Sequence, residues 1–203
     1  VLFRGRATVV SIPCAGLGTI VVRPCVHGGY WGRWMRDLYL GPDRALREIA
    51  GSQSLHTKGI PTPEILAVLF YPAGFFFRID VVTSAVPDSR DFVSFLSSRP
   101  ARSTKNGALT AVRGLLAKLR QHGVVHPDLN ARNILLARRP GSPLRAWILD
   151  VDAIRWESAN SKEVDTANRN RLLRSLLKRA RLGDLGMDES SVKFLWRELF
   201  PTR

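Results

Sequence analysis

The chain has 203 residues, of which 45% are apolar and 24% are charged, and its 31 basic and 17 acidic side chains leave a net charge of +14. This apolar fraction is typical of a globular protein with a buried core, and it excludes a disordered tail or a fibre. The apolar stretch 65–77, which contains no charged residue, is too short to cross a bilayer. We therefore predict no transmembrane helix, and the absence of a signal segment after Val1 favours a cytoplasmic protein.

The N-terminal part, residues 1–84, is predicted to be a strand-rich domain with one helix. Runs rich in β-branched and aromatic residues predict antiparallel strands over 7–12, 19–22, 65–70 and 75–83. A helix is predicted over 43–55, and a turn is predicted at 71–74 between the last two strands. The two cysteines, Cys14 and Cys25, lie among apolar residues, so we expect both to be buried thiols.

The C-terminal part, residues 85–203, is predicted to be mainly helical. Apolar residues at helical spacing over 109–119 predict one helix with Gly123 as its cap. Two more helices are predicted, over 164–182 and from the N-cap Asp188 onward, and a β-hairpin is predicted from 133–137 and 146–149. This order predicts an α+β, two-lobed fold with a boundary near residue 84.

The positive charge is concentrated in the second part of the chain, with +4 in residues 1–85 and +10 in residues 86–203. Such an excess indicates an anionic partner, either a nucleic acid, a membrane surface or a phosphorylated substrate. The densest cluster lies on one predicted helix, as either a solvated face or a docking surface. Its members are Arg169, Arg171, Arg174, Lys178, Arg179 and Arg181. No zinc-ligand spacing or RNA-binding signature occurs, so no nucleic acid is expected as a partner.

One segment carries the pattern of a catalytic loop. His126, Asp128, Leu129 and Asn133 form the motif H-x-D-L-x-x-x-N, followed by an apolar strand, as in kinase-like phosphotransferases. Phosphoryl transfer needs a carboxylate that accepts the proton of the attacking hydroxyl, which is predicted to be Asp128. It also needs oxygen ligands for magnesium, and the amide of Asn133 is the first of these. His126 is interpreted as a structural residue that braces the loop.

A second carboxylate follows the next apolar strand. Asp150 comes directly after residues 146–149, where kinases place the aspartate that chelates magnesium on the nucleotide phosphates. We therefore predict Asn133 and Asp150 as the metal ligands and as part of the nucleotide site. Asp152 is either an exposed turn residue or a further ligand.

Three residues of the N-terminal part are predicted to bind the nucleotide. Arg23 ends a strand where kinases usually place a lysine on the α- and β-phosphates, and an arginine can bind phosphate with two hydrogen bonds. Glu48, on the predicted helix, is the expected ion-pair partner of Arg23. Gly5 is either the remnant of a glycine-rich phosphate loop or only a turn.

Together these residues resemble the lipopolysaccharide kinases, and the likeness extends over nearly the whole chain. The segments that carry it are Gly5-Arg6, Val22-Arg23, Gly28-Gly29, Arg36 to Leu40, Arg44 to Glu48, Gly59 to Pro63, His126 to Leu136, Ile148 to Asp152 and Asn170 to Leu176. The triplet Asp128-Leu129-Asn130 is similar to this family rather than to protein kinases, which usually have lysine in place of Asn130. The resemblance implies a two-lobed, protein-kinase-like fold.

The resemblance also implies a reaction. It is strongest to family members that phosphorylate the 4-hydroxyl of 3-deoxy-D-manno-octulosonic acid (Kdo) on a lipid A precursor, using ATP and Mg²⁺ at the cytoplasmic face of the Gram-negative inner membrane. By this matching Asp128 is the proton acceptor and Arg23 binds the nucleotide phosphates. An acceptor of this kind lies in an anionic leaflet, which would account for the basic charge. The aromatic and basic segment 30–36 is either a membrane contact or a packed insert.

Three other functions stay open on the sequence alone. A kinase for lipopolysaccharide heptose, or for a small alcohol such as an aminoglycoside, would share the ATP site and differ in the acceptor pocket. A catalytically silent kinase-like module is disfavoured, because Asp128, Asn133 and Asp150 are all present. A nucleic-acid binder has only the net charge in its favour.

Overall fold

The structure is a computed structural model that describes residues 2–4, 8–26, 37–138 and 141–201, without the side chains of 2–4 and 8. Gly5 and the segment 30–36, both singled out in the sequence, lie outside the described residues. The chain divides into two compact units, one of Val1–Gln53 with Pro63–Pro87 and the other of Ser54–Thr62 with Asp88–Arg203. The division of functions at residue 84 stays a prediction.

The first unit is built on a five-stranded antiparallel sheet in the order β1-β2-β3-β5-β4. Its strands are β1 (Leu2–Arg4), β2 (Thr8–Cys14), β3 (Gly18–Pro24), β4 (Ile65–Ala73) and β5 (Phe76–Ser84), and it includes the helix α1 (Asp43–Thr57) as far as Gln53. β-Branched residues face each other across the strands, as Val22 does with Val10 on β2 and with Val82 on β5. Such pairs fit the pleated surface well and stabilise the sheet.

Two details of the first unit differ from the sequence-based expectation. The turn predicted at 71–74 is wrong, because β4 continues to Ala73, which pairs with Phe76. Only Gly74 and Phe75 are left to reverse the chain, and Gly74 has φ 64°, which glycine adopts at no steric cost. Of the two cysteines only Cys25 is buried, whereas Cys14 is half-exposed at the end of β2, and neither forms a disulfide.

The second unit combines helices with two small sheets. Its helices are α2 (Phe92–Ser97), α3 (Arg102–Gln121), α4 (Lys162–Arg181) and α5 (Glu189–Leu199), and its strands are β6 (Arg90–Asp91), β7 (Val124–Val125), β8 (Ile134–Ala137), β9 (Arg145–Ile148) and β10 (Arg155–Trp156). The predicted hairpin forms from β8 and β9, with β6 beside β8, and β7 pairs with β10. The three predicted helices are confirmed. No helix among the described residues is both long and apolar enough to cross a bilayer.

The core of the second unit is made by one face of each long helix. Leu109, Val112, Leu116 and Leu119 of α3 are almost completely buried, as the helical spacing of apolar residues predicted. They pack with Leu172 and Leu176 of α4 and with the inner face of the β8–β9 hairpin. This core supports the strands and loops that carry the predicted catalytic residues.

Gly123 ends α3 at the point where the chain enters β7 and the predicted catalytic loop. Its φ is 68°, and a Cβ built on it would lie 2.0 Å from the backbone oxygen of Glu157. The backbone N–H of Glu157 in turn donates to the Gly123 oxygen at 2.7 Å. A side chain at this position is therefore excluded by both conformation and space.

We expect Gly123→Ala to lower the free energy of unfolding by at least about 2 kcal/mol, because a non-glycine residue at positive φ is strained and the clash is with backbone. Gly114→Ala, in the exposed interior of the same helix, meets nothing within 4 Å and should be neutral or stabilising by up to about 1 kcal/mol. Urea unfolding of the two variants checks this. Equal shifts would contradict the packing described for Gly123.

Candidate active site

The β8–β9 hairpin brings the two predicted metal ligands to one end of the small sheet. Ile134 and Ile148 are the last facing pair, and beyond them the N–H of Leu149 donates to the backbone oxygen of Asn133 at 2.9 Å. Asn133 thus directly precedes β8, and Asp150 directly follows Leu149, the residue that is hydrogen-bonded to Asn133. The register of one hairpin is therefore sufficient to bring the two residues together.

The predicted catalytic loop, residues 126–133, is held by hydrogen bonds within itself. The side-chain oxygen of Asn130 accepts from the N–H groups of Arg132 at 2.9 Å and Asn133 at 3.1 Å, which caps a short 3-10 turn (Ala131–Asn133). Nδ2 of Asn133 donates to the backbone oxygen of Asp128 at 3.0 Å. The residue Asp128 itself is exposed, so a substrate can reach it.

His126 connects the loop to the strand end that leads to Asp150. It is 1% exposed, and its Nε2 lies 2.9 Å from the backbone oxygen of Leu149. Because a carbonyl oxygen only accepts hydrogen bonds, Nε2 carries the proton. The bracing contact expected of His126 is therefore present, and it reaches the residue next to Asp150.

Two residues of α4 that the sequence analysis did not single out hold both ends of the loop. Asn168, 1% exposed, accepts from the N–H of His126 at 3.0 Å and donates to the oxygen of Val124 at 2.8 Å. The hydroxyl of Ser175 accepts from the N–H of Ala131 at 3.0 Å. A spacing of seven residues puts both on one helix face. The available signal was two polar residues within the apolar stripe of this helix.

The oxygen ligands at this end of the hairpin fit a magnesium ion. Because Nδ2 of Asn133 is engaged by Asp128, the amide oxygen is the atom of that side chain that can ligate a cation. Asp150 has φ 55°, a left-handed conformation uncommon outside glycine and associated with functional sites. Asp152 lies half-buried in the 3-10 turn that follows. No three His, Cys, Asp or Glu side chains group as ligands in the described part of the chain. Magnesium needs only one or two protein carboxylates when phosphates supply other ligands.

In the first unit, Arg23 and Glu48 form an ion pair. Arg23 lies on β3 opposite Val81, and Glu48 lies on α1 with its side chain 4% exposed. Burying a carboxylate is costly unless a positive charge compensates it, so each member of the pair holds the other in place. The structure thus brings together the two residues that the sequence paired. Their role toward a nucleotide stays a prediction.

We expect Asn168→Leu to lower the free energy of unfolding by about 2–4 kcal/mol, because the buried N–H of His126 and oxygen of Val124 both lose their partner. Asn170→Leu, at an exposed position of the same helix, is the matched control and should change little. Urea unfolding gives the energy, and amide exchange of His126 gives the local effect. Equal behaviour of the two variants would contradict the role of Asn168.

Comparison with known proteins finds a matching family and several relatives. The sequence profile of the lipopolysaccharide kinase (Kdo/WaaP) family matches residues 5–194. The 3-deoxy-D-manno-octulosonic acid kinase of Haemophilus influenzae (strain PittGG) is 28% identical over 184 residues, which are 88% of this chain and 72% of that protein. The kinases of the same name from Vibrio parahaemolyticus and Xanthomonas oryzae are 29% and 30% identical, over 75% and 86% of this chain. The aligned part spans 62% of the Vibrio protein and 67% of the Xanthomonas protein.

The fold has a solved counterpart. The structure of WaaP in complex with acyl carrier protein aligns with 100% of this chain and 78% of that chain, with a TM-score of 0.60 and 18% sequence identity. This likeness confirms the predicted kinase-like α+β fold, and the profile match covers nearly all of the sequence. The chain belongs to the lipopolysaccharide kinase (Kdo/WaaP) family.

Proposed function

We propose that this protein is an ATP-dependent kinase that transfers the γ-phosphate to the 4-hydroxyl of a Kdo sugar on a lipid A precursor. The observation that carries the proposal is the loop around Asp128, whose exposed aspartate is tied through Asn133 to the end of the hairpin that bears Asp150. This is the residue set that phosphoryl transfer to an alcohol requires. Relatives named as Kdo kinases support the choice of acceptor.

Asp128 has the role of general base in this proposal. Its carboxylate accepts the proton of the acceptor hydroxyl while the hydroxyl oxygen forms a bond to the γ-phosphorus and the bond from that phosphorus to the ADP oxygen breaks. The loop hydrogen bonds on its backbone oxygen hold the residue in position without engaging the carboxylate. Positioning of this kind lowers the barrier because little reorganisation is needed during the reaction.

Asn133 and Asp150 are the residues that we propose hold magnesium. Bound there, Mg²⁺ would offset the negative charge of the nucleotide phosphates. The amide oxygen of Asn133 and the carboxylate of Asp150 supply ligands of the hard type that this ion prefers.

Arg23 is proposed to bind the nucleotide phosphates, with Glu48 holding its guanidinium. The ion pair fixes the orientation of a side chain that has several rotatable bonds, so less conformational entropy is lost when phosphate binds. An arginine here keeps its charge at every physiological pH, and it offers more hydrogen-bond donors than the lysine usual in kinases.

We expect Asp128→Asn to reduce kcat by at least about 100-fold with little change in ATP binding, because it removes the base and keeps the phosphate-binding groups. Asp150→Asn should instead raise the KM for magnesium-ATP. The measurement is transfer of labelled γ-phosphate to Kdo-bearing lipid A precursor. Kdo-free precursor is the blank, and Asp88→Asn, at an exposed position, is the control variant.

Near-normal turnover of both Asp128→Asn and Asp150→Asn would refute the assignment of the catalytic loop. Label on the Kdo-free precursor would refute Kdo as the acceptor. Wild-type protein that binds ATP and labels only a heptose or a small alcohol would favour the other kinases of the wider group.

We propose further that the protein associates peripherally with an anionic membrane surface, where a lipid-linked acceptor is found. The β4–β5 hairpin of the first unit supports this, because its end carries a cluster of exposed apolar side chains around the tip residue Phe75, which is 94% exposed. The others are Leu69, Phe70, Tyr71 and Phe77. Aromatic residues are favoured at the membrane–water interface, and a net charge of +14 favours anionic lipid.

We expect Phe75→Ser to reduce binding to vesicles of phosphatidylglycerol and phosphatidylethanolamine by at least about threefold, because a large apolar side chain leaves the interface. Leu17→Ser is the matched control, since Leu17 is 60% exposed at the turn between β2 and β3. Co-sedimentation measures the bound fraction. An equal loss in both variants, or none in either, would exclude the hairpin as the contact.

A further inference from the structure

Arg132 lies in the catalytic loop directly before Asn133, and its side chain contacts the turn that follows α4. Its Nη2 is 3.3 Å from Oδ2 of Asp184, and its side chain is 50% exposed. Its backbone N–H donates to the capping side-chain oxygen of Asn130 at 2.9 Å. The loop therefore presents an accessible guanidinium from a backbone position that is fixed relative to Asp128.

The same carboxylate oxygen holds a second guanidinium. Nη1 of Arg179 lies 2.8 Å from Oδ2 of Asp184, so one carboxylate is paired with the two guanidinium groups of Arg132 and Arg179. The side chains of Arg179 and Asp184 are 25% and 30% exposed, which leaves all three groups in contact with solvent. Ion pairs of this kind contribute only about 0–1 kcal/mol each. An incoming anion can therefore join or replace Asp184 at small cost.

The surroundings of this pair are positive as well. Residues 169–181 of α4 contain six basic side chains and no acidic one. Arg169 and Arg181 are paired with Asp165 and Glu189. Three more are exposed and form no ion pair among the described residues, namely Arg171, Arg174 and Lys178. Ser175, in the middle of this stretch, is bonded to Ala131, so the basic face begins beside the catalytic loop.

We propose that Arg132 and Arg179 are the acceptor-recognition pair of this protein, and that they bind an anionic group of the acceptor saccharide, a carboxylate or a phosphate, in competition with Asp184. The inference rests on the proposed phosphotransferase function, because it assigns specificity to the same catalytic loop. Arginine is suited to this task, since its planar guanidinium matches carboxylate and phosphate oxygens with two parallel hydrogen bonds. A neutral sugar would leave the excess positive charge uncompensated, so the pair selects for acidic acceptors.

The spacing along the loop allows one saccharide chain to contact both residues. Four extended residues span at most about 14 Å, and the turns between Asp128 and Arg132 shorten this distance. A hydroxyl directed at Asp128 and an acidic group on the same saccharide, or on its neighbour, can therefore be bound at once. Binding at both points restricts the rotation of the sugar and selects which hydroxyl reaches Asp128.

The first test compares Arg132→Gln and Arg179→Gln with Arg120→Gln, which removes an equal charge from an exposed position at the end of α3. The acceptor is Kdo-bearing lipid A precursor in micelles of a neutral detergent. We expect the acceptor KM to rise about tenfold in the first two variants, because each of them loses one charge-assisted contact with the acceptor. The KM for ATP should stay within about twofold, and Arg120→Gln should behave as wild type. An equal rise in all three variants would overturn the proposal.

Asp184→Asn gives a result of opposite sign for the two possible roles of the cluster. If Asp184 competes with the acceptor, its neutralisation lowers the acceptor KM by about threefold, because both guanidinium groups then lack a charged partner. If the three residues only stabilise the turn after α4, the variant lowers the melting temperature and leaves the acceptor KM unchanged or raised. The second result would overturn the proposal.

Two modified acceptors distinguish the sources of the anionic group. One has its Kdo carboxylate converted to the methyl ester, and the other lacks the lipid A phosphates. The group that the pair binds is the one whose removal raises the wild-type KM and abolishes the further effect of Arg132→Gln. If Arg132→Gln has its full effect on both modified acceptors, an anionic acceptor group is not what it binds.

Equilibrium binding keeps the proposal testable apart from the reaction. Calorimetry measures the affinity of wild type, Arg132→Gln and Arg120→Gln for free Kdo and for the precursor micelles. These affinities test the recognition pair even if no phosphate is transferred. In that case the proposed function fails, and the recognition pair is judged from binding alone. Unchanged affinity in Arg132→Gln would overturn the pair. If Arg132→Gln weakens binding of an acidic protein such as acyl carrier protein while acceptor affinity is unchanged, the surface is a protein-docking site and the proposal is wrong.

Discussion

The pairing of β8 with β9 is the constraint on which the candidate site depends. One backbone hydrogen bond past the last facing pair, from Leu149 to Asn133, places the residue before β8 beside the residue after β9. A slip of one residue would turn the side chains of one strand toward the opposite face, because side chains alternate along a strand. The buried isoleucines at the end of both strands oppose such a slip, since it would move them out of the core. Hydrophobic burial thus fixes the register, and the register fixes the polar site.

Most of the catalytic loop lies outside helices and strands, so side chains provide the hydrogen-bond partners of its backbone groups. Asn168 accepts from the N–H of His126 and donates to the oxygen of Val124. Ser175 accepts from the N–H of Ala131, and Asn130 caps the turn by accepting from the N–H of Asn133. A buried N–H or C=O without a partner costs about as much as a lost hydrogen bond, so these polar residues are needed inside an otherwise apolar interface. The result is a loop whose backbone is held while the residue Asp128 stays accessible.

Charge is used in two different ways in the two units. In the first unit a buried carboxylate, Glu48, is compensated by Arg23, because burying a carboxylate without a positive charge beside it is costly. In the second unit the excess lies on the surface of α4 and around Arg132, where solvent screens it and single ion pairs contribute little. Buried charge of the first kind orients a side chain, whereas surface charge of the second kind attracts and selects anionic ligands. The overall net charge of +14 does not by itself identify a partner.

The sequence by itself determined the fold class, the three helices of the second unit and the hairpin, because each is encoded in a local periodicity or in a motif of fixed spacing. It also predicted the partnership of Arg23 with Glu48, from the positions that kinases give to such a pair. It placed the β4–β5 turn too early, since residues 71–73 combine turn-forming and strand-forming preferences and the pairing of Ala73 with Phe76 decides between them. The sequence also predicted that Cys14 is buried, which is wrong, because its burial depends on where the end of β2 lies in the sheet.

Only the tertiary structure brought Asn168 and Ser175 to the loop and Arg132 and Arg179 to one carboxylate. These contacts join residues 42 to 52 positions apart, or across a helix end, and no local preference of the chain specifies which distant backbone group or charge a polar side chain will meet.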